Sequence, residues 1–128
     1  MVQRVEGALE TTTSLHDLVV RASIGSYEAV GQSAIPFWHM APGENGDTSP
    51  DVVLPGLRRI EEVETEDTFD ALEDIRIESL RRPGMEVWVV VPLSRISDAH
   101  LRLRGRADRI QPWWVEHDSI RFGFPRVP

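Results

Sequence analysis

The run "MEVWVVVP", residues 85 to 92, constrains the fold more than any other stretch of the chain. Between Pro83-Gly84 and Pro92 it is almost unbroken in apolar side chains. An amphipathic strand alternates, whereas a strand this apolar is covered on both faces, as in the sheet of an α/β protein. The rest of the chain must therefore supply helices for both sides. At 128 residues it can do so within one domain that buries its own core. Residues 1–13 are expected to be an N-terminal extension, and residues 14–128 a single domain.

Two segments carry helical periodicity. In "TTTSLHDLVVRASIGSYEAVG", Leu15, Leu18, Val19 and Ala22 share a face, Ser14 is placed to cap, and Gly31 to stop the helix. In "EDTFDALEDIRIESLRRPG", Phe69, Leu72, Ile75 and Leu80 form a second stripe, with Asp67 or Thr68 as cap. Between them lie a short strand "AIPFWHM", a turn-rich loop "APGENGDTS", and two strands, "PDVVLPG" and "RRIEEVETE", joined tightly at Gly56. Residues 97–110 fit either an alternating strand or a helix with Ile96, Ala99, Leu103, Ala107 and Ile110 on one face. The helix is preferred, because a doubly covered strand normally continues into one, although Gly105 costs it about 1 kcal/mol. The strand reading would make the second half a β-meander and suggest a small ligand-binding barrel. "WWVEHDSIRFGF" closes the chain as a hairpin around His117-Asp118.

The acids fall where acids are least expected. Asp51 stands directly before an apolar run, and Glu61, Glu62 and Glu64 lie inside a strand that reads as buried. Alternation projects Glu62 and Glu64 from one face, about 7 Å apart, and Asp51 on the neighbouring strand can reach the same point. Three converging carboxylates repel and are costly to desolvate. A divalent cation would relieve both, and Mg²⁺ is typically held by one or two carboxylates plus substrate phosphates.

Helix, three-strand meander, helix and strand, with Pro50-Asp51 on the second strand and Glu62-Val63-Glu64 on the third, resembles the PD-(D/E)XK nuclease superfamily. The resemblance implies a restriction-endonuclease-like αβββαβ core, a central mixed sheet flanked by helices. It implies Mg²⁺ or Mn²⁺ held by Asp51 and Glu62, with Glu28 of the first helix as a further candidate near the metal. It also implies hydrolysis of a nucleic-acid phosphodiester, DNA rather than RNA, with Asp51, Glu62 and Glu64 as the catalytic set and dimerisation as an option for cutting two strands. The lysine of the motif is replaced by Glu64. Some relatives with E-x-E still cut DNA, and others with degraded motifs have lost catalysis. A non-catalytic interaction or regulatory protein keeping the fold is therefore the alternative.

Composition narrows the chemistry. The chain has no cysteine, which excludes thiolate nucleophiles, disulfides and cysteine-ligated zinc. It has no lysine, so all basic side chains besides histidine are arginine. Its net charge of −7 disfavours a general polyanion binder, but the charge is uneven. Residues 60 to 78 hold nine acids and one arginine, while residues 95 to 128 hold seven arginines and four acids. Arg95, Arg102, Arg106 and Arg109 can be read as a nucleic-acid backbone contact (Arg102, Arg106 and Arg109 above all) or as partners of the acidic second helix. His39, His100 and His117 have no histidine partner at metal spacing and read as structural, and Trp113-Trp114 as core. No apolar segment suits a signal peptide or a membrane span, giving the expectation of a cytoplasmic protein without a membrane partner.

Overall fold

The computed structural model describes residues 14–39 and 49–128. The expected N-terminal extension and nearly all of the turn-rich loop lie outside them. The chain is α/β, with one six-stranded mixed sheet in sequential order. It begins with helix α1 (Leu15–Glu28), capped by Ser14, whose Oγ accepts the Asp17 N–H. Strands β1 (Ile35–Pro36), β2 (Val52–Leu54) and β3 (Arg59–Val63) form an antiparallel meander, with a tight 3₁₀ turn Pro55–Leu57 at Gly56. The apolar run becomes β4 (Glu86–Pro92), parallel to β3 and to β5 (Arg109–Glu116). Strand β6 (Ser119–Phe122) closes the sheet antiparallel to β5.

The full burial of Val87, Val89, Val90 and Val91 follows from helices on both sides of the sheet. Leu18, Val19, Val20 and Ile24 of α1 pack on one face against Val52, Leu54, Val63, Val90 and Trp113. The other face carries helices α2 (Glu66–Asp70), α3 (Asp74–Ser79) and α4 (Ile96–Arg102), through Phe69, Ile77, Leu80, Ala99 and Leu103 against Ile60, Val87, Val89, Val91 and Ile110. Both parallel crossovers advance the same way across the sheet. Crossovers of one hand then bring their helices to the same face.

Two local expectations are corrected. The second helix is not continuous but breaks at Ala71–Glu73 into α2 and α3. Its cap is Thr65, in a capping box with Thr68, rather than Asp67 or Thr68 alone. The break is stabilised from outside, because the Arg102 guanidinium donates to the carbonyls of Phe69, at 2.7 Å, and Leu72. Helix-terminal carbonyls lack intrahelical partners and need such a donor. Residues 97–110 are helical only to Arg102. Gly105, at φ +76°, turns the chain in the left-handed region, and Asp108 accepts the Val87 N–H at 2.8 Å to start β5 beside β4. Leu103, Ala107 and Ile110 thus reach the core from a cap, a turn and a strand. The closing hairpin turns where expected, with His117 and Asp118 both at positive φ, as a two-residue turn with the twist of its strands requires.

Glu61 points to the α1 face and is wholly buried. Its oxygens accept from Ser23 Oγ at 2.9 Å and from the Tyr27 hydroxyl. Arg59 donates to the same hydroxyl at 2.7 Å while its guanidinium lies 3.5 Å over the Trp88 ring. Burial pushes the Glu61 carboxyl above its usual range, and the Tyr27 and Ser23 donors pull it back. Tyr27→Phe should therefore destabilise the domain by about 1–3 kcal/mol, the usual effect of removing one partner of a buried polar group. Urea unfolding checks this, and an unchanged midpoint would show that the network contributes nothing.

Candidate functional site

The meander brings the sequence-predicted acids to one end of the sheet. Asp51 lies just before β2 and Glu64 just after β3, and these antiparallel strands pair Val52 with Glu61. Asp51 extends the ladder, its N–H donating to the Glu61 carbonyl at 3.1 Å. Glu64 extends the parallel one, donating to Val90 at 2.8 Å. Trp113 Nε1 donates to the Glu64 carbonyl at 2.8 Å, locking the strand end against β5. Asp51, Glu62 and Glu64 are 8, 4 and 4% exposed, so the expectation of buried acids holds.

Two of the three, Glu62 and Asp51, are paired with cations of the chain itself. Arg76 of α3 grips Glu62 in a fork, Nε to Oε2 at 2.7 Å and a terminal nitrogen to Oε1 at 3.2 Å. The same terminal nitrogen donates to the Ser49 carbonyl at 2.8 Å, tying α3 to the segment that leads into Asp51. Asp51 Oδ2 accepts the Val63 N–H at 2.7 Å, and Oδ1 lies 3.0 Å from His16 Nε2 of α1. His16 Nδ1 lies 3.1 Å from Asp17. Both helical layers thus send one cation to the acid end.

The electrostatics follow from this crowding. Burial, and then the charge of Asp51, push the Glu62 carboxyl well above its usual range, against the pull of Arg76. Burial raises Glu64 as well, opposed by a hydrogen bond from Thr68. Burial is the largest influence on His16 and lowers it, but Asp51 and Asp17 together outweigh this and lift the imidazole to about 9. His16 is therefore a cation at neutral pH. Arg76 also loses to burial first and regains more from Glu62, Asp51 and Glu64.

The other sequence-predicted residues lie elsewhere. Glu28 is twelve positions beyond His16 on α1, about 18 Å at the helical rise. It lines a cavity of about 400 Å³ with Arg21, Trp38 and His39. The first helix does contribute to the acid end, through His16 instead. The arginines do not form one helical face, because α4 ends at Arg102. Arg95 pairs with Asp70 at 2.6 Å, and Arg106 with Asp74 at 3.1 Å and Glu78 at 3.3 Å. Arg102 is spent on the carbonyls at the α2–α3 break, and Arg109 donates to the Asp108 carbonyl. Pairing with the acidic second helical segment is thus what Arg95 and Arg106 do.

Sequence reasoning overlooked His16, Arg76 and the Glu61 partners Ser23, Tyr27 and Arg59. Arg76 left one signal, as the single arginine among nine acids in residues 60 to 78. Among the described residues, no three His, Asp or Glu side chains are grouped to hold a metal ion. No helix among them is long and apolar enough to cross a membrane. Comparison with known proteins gives no match, whether to family models, curated proteins or solved structures.

The raised His16 gives a signed pH dependence. The protonated imidazole stabilises the folded state fully below its unfolded value of 6.5, and this contribution is lost as pH rises through about 9. Its full size is up to about 3 kcal/mol. The raised Glu62 and Glu64 act in the same direction from a lower pH, since their ionisation above the unfolded carboxylate value is resisted in the folded state. Chelator-treated protein should therefore lose stability between pH 6.5 and 9, and His16→Gln should flatten that limb. Parallel wild-type and variant curves in urea unfolding would contradict the Asp51–His16 pair.

Proposed function

We propose that the chain is a member of the PD-(D/E)XK kind with a restriction-endonuclease-like core, acting as a metal-dependent phosphodiesterase on nucleic acid. One observation carries the reading. Two buried carboxylates, Asp51 and Glu62, stand at the same end of adjacent strands with Glu64 just beyond, on the elements that the motif calls for. The mixed sheet with helices on both faces supports it at a coarser level.

The donor set fits Mg²⁺ or Mn²⁺. Asp51 and Glu62 offer hard oxygens in the one-or-two-carboxylate number that Mg²⁺ takes. Burial first, and then the charge of Asp51, hold the Glu62 carboxyl above its usual range, and a cation would relieve both. When bound, the metal supplies polarisation of the phosphoryl oxygen and acidification of a water. Asp51 and Glu62 would hold it. Glu64, kept by burial above the usual carboxylate range, is suited to take a proton from that water. Asp51 would be held in orientation by the Val63 N–H and by His16, and Glu64 by the anchored strand end.

A second reading has its own support. With Arg76 on Glu62, His16 on Asp51 and no lysine at the motif position, two of the three carboxylates are paired without any metal, as in a relative that retains the fold for interaction alone.

The test is cleavage of single- and double-stranded DNA and RNA with Mg²⁺ or Mn²⁺. Wild type should degrade at least one substrate, and Glu62→Ala should lower the rate by about 10²-fold or more, the scale of a single electrostatic contributor. Circular dichroism should show the variant folded. Intact substrates under every metal and salt condition would favour the non-catalytic reading.

A further inference from the structure

Most ion pairs of the described residues join groups at the surface. The carboxylates meeting Arg81, Arg95, Arg106 and Arg121 have side chains 33 to 65% exposed. Glu62 differs, at 6%, and meets its arginine through both oxygens. A guanidinium fork occupies both oxygens of a carboxylate and brings a full positive charge to within a hydrogen bond of it. Each oxygen keeps a further lone pair, but a divalent ion placed there would stand against that full positive charge and be opposed by it.

We propose that Arg76 is an internal competitor for the metal, holding Glu62 closed in the metal-free protein and releasing it when the ion enters. The inference rests on the reading of Asp51 and Glu62 as metal ligands. Geometry favours release at this partner and not at Asp51. Arg76 reaches Glu62 on a long side chain from α3, a helix of six residues whose preceding segment is the break at Ala71–Glu73. Asp51 is fixed in part by the backbone N–H of Val63, which cannot leave without disrupting β3. Arg76 also keeps a second acceptor, the Ser49 carbonyl, to which one nitrogen stays bound when the fork opens.

A merely structural ion pair predicts the opposite outcome on mutation. If Arg76 only props the site, its removal loosens the ligands and weakens metal binding. If it competes, removal lowers the stability of the metal-free protein yet tightens the metal.

The experiment is titration of the chelator-treated 128-residue chain with Mn²⁺, followed by calorimetry and by the spin resonance of free Mn²⁺, for wild type, Arg76→Gln and Arg76→Lys. Arg76→Gln should bind Mn²⁺ on the order of tenfold more tightly than wild type, as expected from removing one close like charge. Its melting temperature should be lower without Mn²⁺ and rise further on Mn²⁺ addition than that of wild type. Arg76→Lys, which keeps the charge and loses the fork, should fall between the two. If Arg76→Gln does not fold, Arg76→Lys decides alone, by binding more tightly than wild type. Binding by wild type with equal or weaker binding by the variants would overturn the competition and leave the metal site standing. Absence of Mn²⁺ binding in all three proteins would overturn both.

Discussion

The β2–β3 hairpin is built around acids that strand interiors ordinarily avoid. Glu61, Glu62 and Glu64 are buried in or beside β3, with Asp51 across from them. Taking ionised carboxylates out of water costs several kcal/mol each unless the surroundings supply charge and hydrogen bonds. The surroundings do so differently on the two faces. Glu61, toward α1, is held by the hydroxyls of Ser23 and Tyr27, with Arg59 one bond behind. Glu62, toward α3, is held by Arg76, and Asp51 at the strand end by His16 and the Val63 N–H. Helices α1 and α3 are thereby fastened to the sheet near β3 through polar contacts as well as through apolar packing.

Such an arrangement is weak evidence for stability by itself. Apolar residues of similar volume would pack there without the desolvation cost, and a broken buried pair is worse than none. Its value lies in where it sits. Asp51 and Glu64 are at the end of the sheet where parallel β3, β4 and β5 finish, which is where open α/β sheets present their ligand sites. A cavity of about 450 Å³ lined by Pro92, Leu93, Trp113 and Trp114 opens at that same end. Trp113 joins the two features, since its ring lines the cavity while its Nε1 holds the Glu64 carbonyl.

Much of this was legible in the sequence because it rested on local pattern. The "VWVVVP" run fixed a doubly covered strand, Gly56 and His117-Asp118 marked turns, and the phase of residues 51 to 64 put Asp51 and Glu62 at neighbouring strand ends. The errors share a cause: side chains distant in sequence decided the outcome. Periodicity predicts an unbroken helix from Glu66 to Leu80, whereas the chain breaks at Ala71–Glu73, where Arg102, far along the sequence, donates to the freed carbonyls of Phe69 and Leu72. Residues 103 to 110 carry helical spacing, yet Gly105 turns them and Asp108 binds them to β4. The acid cluster calls for positive charge; a metal is the expectation from the sequence, and the chain also provides two cations of its own. Arg76 and His16 sit 14 and 35 positions from their carboxylates, a separation at which no spacing rule operates.

Whether the chain itself supplies the cation at Asp51 is read most directly from the His16 ring. Its Cε1 and Cδ2 protons can be followed by nuclear magnetic resonance across the pH range in metal-free protein. Held between Asp51 and Asp17 against burial, the imidazole should titrate with a midpoint of about 9, and replacing Asp51 by asparagine should bring that midpoint down. A midpoint near the ordinary 6.5 in the folded wild type, unmoved by Asp51→Asn, would mean that the two side chains do not meet and that the cluster is not organised as described.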